Sequence, residues 1–195
     1  MNSTLERGFK SWAERTAASL RGELQLGPND LLQPAALAVY LEVLLWTPRD
    51  VPNLPPDVLN QLTEVDPWGW SAVSVIQDGA AVIIYNPRHS AGRRSSDIVH
   101  ELAHLILGHE PARLIMSHDG SFVMRSYDQK DEDEANWLAW ALLLPREALL
   151  ACRRQNLTPL EIANQFGVTD TLVNFRLRMT GVDTHIKAAS RYRRK

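Results

Sequence analysis

Cysteine is almost absent from this sequence, which has a single one, Cys152, in 195 residues. One cysteine cannot form a disulfide within the chain, and this excludes the class of small secreted domains held together by disulfides. Cys152 lies at the end of an apolar stretch, 149–152, so we predict a packed structural side chain rather than a catalytic thiol. A single free thiol suits a reducing compartment, and we expect the protein to be cytoplasmic.

The sequence also lacks an excess of one charge and any long apolar run. It has 21 Lys and Arg against 23 Asp and Glu, a net charge of −2, which indicates neither nucleic acid nor an acidic partner. The longest apolar runs, 35–46 and 137–144, are too short or too interrupted to span a bilayer. No apolar signal segment follows the first residues, and we expect no membrane partner. The length suits one domain, with or without a small appendage.

A histidine pair four residues apart is the most informative feature, in the stretch His100-Glu101-Leu102-Ala103-His104. On a helix such residues lie on the same face, so both imidazoles can reach one Zn²⁺ at about 2.0–2.1 Å. Glu101 adjoins the first ligand and can take a proton from a metal-activated water and pass it to a leaving amine. The motif predicts metal-assisted hydrolysis, foremost of a peptide bond.

The sequence around the pair strengthens this interpretation. Apolar residues between 98 and 107 predict a mostly buried helix, and Gly108 provides a stop signal. Histidine and glutamate are poor choices for a buried helix face unless they are paired or bound to a metal. The alternative is a solvated helix edge with incidental histidines.

A third metal ligand is expected from the next helix, because a catalytic zinc takes three protein ligands and leaves one position for water. Residues 131–144 begin with acids, which suit the start of a helix, and become apolar before Pro145 ends the helix. Glu134 is our candidate, since it precedes the apolar stripe and should face inward. Asp131 is the reserve, and the alternative for the other acids is a solvated helix start.

A β-hairpin is predicted just upstream. Two β-branched runs, 72–77 and 81–85, flank Asp78-Gly79, a strong hairpin signal. By analogy with zinc peptidases in which an edge strand binds extended substrate, one of these strands could bind peptide. The alternative is a purely structural hairpin, and the substrate-binding residues stay unknown. Further predictions are helices over 3–20 and 31–42 and a strand over 43–46.

Three more histidines and one tyrosine lie near the two ligand segments in the sequence. His89 could donate a hydrogen bond in the transition state, although its polar loop predicts a surface histidine. His109 lies roughly 140° around the helix from His104 and should not share the metal. His118 and Tyr127, in the segment between the two ligand helices, are weak candidates for stabilising the oxyanion.

The C-terminal third resembles a helix-turn-helix. Ala163, Gly167 and Val173 have the spacing of its small, turn and apolar positions, and the end of the chain is basic. Such a unit can place a helix in the major groove, but its second helix is apolar here, and two packed helices explain the same spacing. We predict a metallopeptidase domain over 1–157, a helical helix-turn-helix-like part over 158–182 and a basic, disordered tail over 183–195.

The two ligand segments together resemble the ImmA/IrrE family of zinc metallopeptidases. The similarity covers roughly residues 70–180. Leu138 replaces the usual Phe, and Ser95 and Ser96 stand where the family often has a Phe. The matching stretches are 100–109, 134–136, 138–139 and 142–145, with weaker similarity at 84–87, Arg93, 162–168 and 176–177.

This resemblance implies His100, His104 and Glu134 as ligands of Zn²⁺ and Glu101 as the general base. It also implies a helix-turn-helix repressor as the protein substrate. The fold we expect is α+β, with a small antiparallel sheet beside the zinc-binding helix and helices elsewhere. Two alternatives of another class stay open: a DNA-associated regulator with an inactive or structural zinc site, contacting DNA through the C-terminal part, and a module that holds a repressor without cutting it. The oligomeric state is not predicted.

Overall fold

The structure is a computed structural model, which describes residues 5–77, 79–109, 115–116, 122–123 and 128–192. Its strands are short and its helices dominate. The helices are α1 (Phe9–Glu23), α2 (Pro34–Tyr40), α3 (Pro56–Asn60), α4 (Ala91–Leu107), α5 (Gln129–Leu143), α6 (Arg146–Arg154), α7 (Pro159–Phe166), α8 (Asp170–Thr180) and α9 (Val182–Tyr192). The strands are β1 (Leu44–Trp46), β2 (Ala72–Gln77), β3 (Ala80–Tyr85), β4 (Ile115–Met116) and β5 (Phe122–Val123).

Three of the strands form a sheet in the order β1-β3-β2. β2 and β3 are the predicted hairpin, antiparallel with Ser74 opposite Ile83. Gly79, at the turn, has a φ of +83°, a conformation that glycine adopts without steric cost. β1 adds to the far side of β3 in parallel, so the sheet is mixed. The α+β prediction is confirmed, and β2 is left as an edge strand.

Helix α4 carries the histidine motif and packs between the sheet and α5. It begins after Ser90, whose hydroxyl accepts a hydrogen bond from the backbone N–H of Arg93, and it ends at Gly108 with a φ of +70°. Near its start, a Cβ on Gly92 would lie 3.0 Å from the carbonyl carbon of Val168. A side chain at this position would press against the backbone of the turn between α7 and α8, so glycine suits the close contact there.

The C-terminal helices belong to the same hydrophobic core as α4. Ala163 and Val173, the small and apolar positions of the helix-turn-helix spacing, are buried with Phe166 and Leu102 in one cluster. Helix α7 starts with a capping box, in which Thr158 and Glu161 satisfy each other's backbone N–H groups. The helix-turn-helix spacing therefore coincides with packing positions of this core.

Helix α9 occupies residues for which we expected a disordered tail. Val182 is fully buried, and Ile186 packs against the core. The carboxylate of Asp183 accepts a hydrogen bond of 2.9 Å from Nε of Arg153. The prediction of a disordered tail rested on the basic residues, whereas the apolar pair Val182 and Ile186, four residues apart, packs α9 against the core. Residues 193–195 lie outside the described part.

Two buried arginines hold the C-terminal end of α5. Arg176, fully buried, donates to the carbonyl of Leu144 at 2.9 Å and to Oε1 of Glu14 at 2.7 Å. Arg21 donates to the carbonyl of Leu142 at 2.8 Å. The last carbonyls of a helix lack partners within it, and these side chains supply them. Helices α1 and α8 thereby fix the end of α5. None of the helices in the described ranges is long and apolar enough to cross a membrane.

We expect Arg176→Met to lower the free energy of unfolding by about 2–4 kcal/mol. The substitution leaves Glu14 without its cation and a buried carbonyl without a donor, while Glu14 keeps some contact with water. Urea denaturation measures the change, with Arg154→Met at an exposed position as the control, expected within about 0.5 kcal/mol of the unchanged protein. Equal effects of the two variants would contradict this role of Arg176.

Candidate active site

His100 and His104 present their Nε2 atoms to the same point beside α4. The two atoms are 3.1 Å apart, and the rings meet edge to face with their centroids 4.7 Å apart. The side chains are 22% and 14% exposed, so the point is reachable from solvent. The helical spacing thus brings the two imidazoles together as the sequence predicts.

The carboxylate that meets this pair is that of Glu132, in the first turn of α5. Its Oε2 is 3.2 Å from Nε2 of His100, and its Oε1 is 3.4 Å from Nε2 of His104. Ligand atoms bound tetrahedrally at about 2.0–2.1 Å from a zinc ion lie about 3.3–3.4 Å from each other. The spacing of these three side chains therefore fits a metal ion, and they could hold one.

Glu134, our predicted third ligand, lies elsewhere. Its Oε2 is 3.5 Å from Nε2 of His109, and its Oε1 is 3.8 Å from Nζ of Lys130. Asp131, the reserve, also faces His109, at 3.6 Å. Residues two apart on a helix point in directions about 200° apart, so α5 cannot turn both Glu132 and Glu134 toward the histidine pair. The geometry favours Glu132, and the ligand role of Glu134 stays a prediction without support from these distances.

A signal for Glu132 was present in the sequence. Ala135 and Ala139 follow it by one and two helical turns, and both are buried, with 0% and 1% exposure. Small side chains let two helices approach closely, and a residue in line with them at the start of α5 lies beside that contact. The stripe of large apolar residues, on which the prediction of Glu134 rests, points into the core instead.

Glu101 lies beside the pair in a partly buried position. Burial raises the pKa of its carboxyl group, and this is opposed by His100 and by hydrogen bonds from the hydroxyl and backbone N–H of Ser74. Ser74 is itself buried, on the edge strand β2. The carboxylate is thus held in one place and binds a proton more readily than an exposed glutamate, as a group that takes and returns a proton must.

The pKa values of the two imidazoles shift in opposite directions. Burial and the charge of His100 lower the pKa of His104 to about 4. Burial also acts against the charged form of His100, but Glu132, Glu101 and Asp97 outweigh it and raise the pKa of His100. His104 is therefore neutral near pH 7, which is the form that binds a metal.

His89 is not the surface histidine that we predicted. It is 2% exposed, its Nδ1 is 2.7 Å from Oδ2 of Asp97, and its ring stacks against Trp68. The prediction was wrong because the polar loop folds back under α4, a tertiary contact that local composition does not encode. His118 and Tyr127 lie outside the described residues.

His109 folds back onto His104. The backbone N–H of His109 donates to the carbonyl of His104, and that of Gly108 donates to Leu105. These are the two hydrogen bonds of a Schellman motif, which needs the left-handed glycine. The motif brings Nδ1 of His109 to 2.9 Å from Nδ1 of His104, on the opposite side of the ring from the metal-facing nitrogen.

Comparison with known proteins adds one match. A family model described as the IrrE N-terminal-like domain of peptidase family M78 matches residues 64–178, which is more than half of the chain and includes every residue of the site above. No protein of curated function and no solved structure matches the chain significantly.

We expect Glu132→Ala to weaken zinc binding more than about 100-fold, because the substitution removes a ligand atom. Loss of a residue that only supports a ligand already weakens metal binding by about 10–100-fold. Competition with a chromophoric chelator measures the affinity. Asp133→Ala, the next residue of the same helix, is the control and should bind zinc as the unchanged protein does. If Glu134→Ala abolishes binding and Glu132→Ala does not, Glu134 is the third ligand.

Proposed function

Because the chain belongs to the M78 peptidase family, we propose that it is a zinc-dependent metalloendopeptidase that hydrolyses a peptide bond of a protein substrate. One observation carries the proposal: two imidazole nitrogens and a carboxylate converge at ligand spacing, with the partly buried Glu101 next to the first of them. Metal ligation and a base beside it are the two requirements of this chemistry.

Zinc is the ion we assign to His100, His104 and Glu132. Two imidazoles and one carboxylate form a donor set typical of catalytic zinc, with a position left for water. When bound, the ion supplies Lewis-acid activation of water. The donor set also accepts other divalent ions, since affinity alone does not select zinc, so the choice of metal belongs to the proposal.

Glu101 carries the proton steps in this proposal. Its carboxylate takes the proton of the attacking water and delivers it to the leaving amine. Ser74 donates two hydrogen bonds to the carboxylate and thereby orients it without neutralising it. Because burial raises the pKa of Glu101, its carboxylate takes the proton of water more readily than an exposed carboxylate would.

The edge strand β2 is the observation that supports an extended protein chain as the substrate. Its inner side pairs with β3, and its outer side has no strand partner among the described residues. An extended peptide can add to such an edge through backbone hydrogen bonds. Ser74 connects this edge to Glu101, so a peptide lying along β2 passes the proposed base.

The substrate we propose is a helix-turn-helix repressor, and the compartment is the cytoplasm. The repressor is supported by the family resemblance of the two ligand segments. The cytoplasm is supported by Cys152, a free buried thiol. We assign no role in DNA binding to α7 and α8.

We expect Glu101→Gln to retain about one zinc per chain while cleavage falls by about 10²–10⁴-fold. The amide keeps the shape of the side chain but cannot take a proton. Purified protein would be incubated with helix-turn-helix repressors from its own genome, and the products identified by mass spectrometry.

The control for this experiment is Glu64→Gln, the same change at an exposed ion pair with Arg88, which should leave cleavage unchanged. Cleavage by Glu101→Gln at the normal rate would remove Glu101 as the base. Binding of zinc and of a repressor with no cleavage by the unchanged protein would favour the binding module instead.

A further inference from the structure

The imidazole of His104 contacts a second imidazole, that of His109, on the side away from the proposed metal. Its Nε2 faces His100 and Glu132, whereas its Nδ1 is 2.9 Å from Nδ1 of His109. His109 is 10% exposed, so water does not freely replace this contact. The histidine pair that could hold a metal is thus continued by a third imidazole.

A metal ion on His104 would determine which ring nitrogens of His104 and His109 carry a hydrogen. A ring nitrogen that binds a metal carries no hydrogen, and a neutral imidazole then carries its hydrogen on the other nitrogen. With Nε2 of His104 on the metal, its Nδ1–H donates to Nδ1 of His109. Since Nδ1 of His109 accepts, the hydrogen of His109 is on its Nε2.

Two carboxylates face that Nε2–H. Oε2 of Glu134 lies 3.5 Å from it, and Oδ1 of Asp131 lies 3.6 Å from it. Both belong to the first turns of α5, the helix that also supplies Glu132. Nζ of Lys130 lies 3.8 Å from Glu134 and balances part of the negative charge.

We propose that His109, held by Glu134 and Asp131, is a positioning residue that keeps His104 in its metal-binding tautomer. The inference rests on the proposed metal site at His100, His104 and Glu132. Ligating histidines generally donate their second N–H to a carboxylate or carbonyl, which fixes the ring and raises its basicity. Here an imidazole is inserted between the ligand and the carboxylates.

A second metal ion at His109, Asp131 and Glu134 is the competing interpretation, because these side chains also have ligand spacing. Two ions bound through Nε2 of both His104 and His109 would put hydrogens on both Nδ1 atoms. Two N–H groups would then face each other across 2.9 Å. A metal on His104 therefore excludes a metal on His109 in this arrangement.

The test is the zinc affinity of the full chain, measured by chelator competition for His109→Leu and His109→Gln. Leucine removes the acceptor and should weaken zinc binding about 10–100-fold. Glutamine can accept through its amide oxygen and donate through its nitrogen, so it should restore most of the affinity. His185→Leu, the same change at an exposed position of α9, is the matched control and should have no effect.

Glu134→Ala gives a second variant, should His109→Leu fold poorly, as judged by circular dichroism of the metal-free chains. It should weaken zinc binding, but by less than Glu132→Ala. Nitrogen-15 NMR of the imidazoles in the zinc-bound chain should show hydrogen on Nδ1 of His104 and on Nε2 of His109.

Three results would overturn the inference. Unchanged affinity in both His109→Leu and Glu134→Ala, with cleavage intact, removes the positioning role and leaves the proposed peptidase standing. Two zinc ions in the unchanged protein, with one lost in His109→Leu, shows a second metal site. No zinc in the unchanged protein under metal-replete conditions removes the metal site itself, and the proposed function with it.

Discussion

The packing of α4 against α5 is the constraint on which the site depends. Two ligand candidates stand on α4 and the third on α5, so their separation is set by how closely and at what rotation the two helices meet. Ala103 on α4 and Ala135 and Ala139 on α5 are almost fully buried, and small side chains permit a close approach. Because protein interiors are packed as densely as crystals, this contact sets the distance between the ligand atoms of the two helices.

The parts of the chain far from the motif hold α5 in that position. Arg21 of α1 and Arg176 of α8 occupy the last carbonyls of α5, and Glu14 of α1 pairs with Arg176. Helix α1 lies outside the residues matched by the family model, yet it packs along α5. It is therefore part of the structure that supports the site rather than an appendage.

What the sequence predicts well is what one helix or one hairpin determines by itself. The four-residue spacing of His100 and His104, the stop at Gly108 and the turn at Gly79 follow from local geometry. The third ligand does not follow from local geometry, because the choice between Glu132 and Glu134 depends on how α5 is rotated against α4. The prediction that His89 is exposed was wrong for the same reason, since its burial comes from a loop that folds against α4.

Whether a metal site leaves a coordination position open to solvent distinguishes a catalytic site from a structural one. A structural zinc site is closed by four protein ligands, whereas the described residues bring three ligand groups to the point shared by His100 and His104. The side chains of these groups are 14–27% exposed, so solvent reaches the remaining position. Buried apolar residues of α4 and α5 pack together beside these groups. A metal at this point, next to a partly buried carboxylate held by Ser74, would be placed for chemistry, which supports the proposed peptidase over a regulator with a structural zinc.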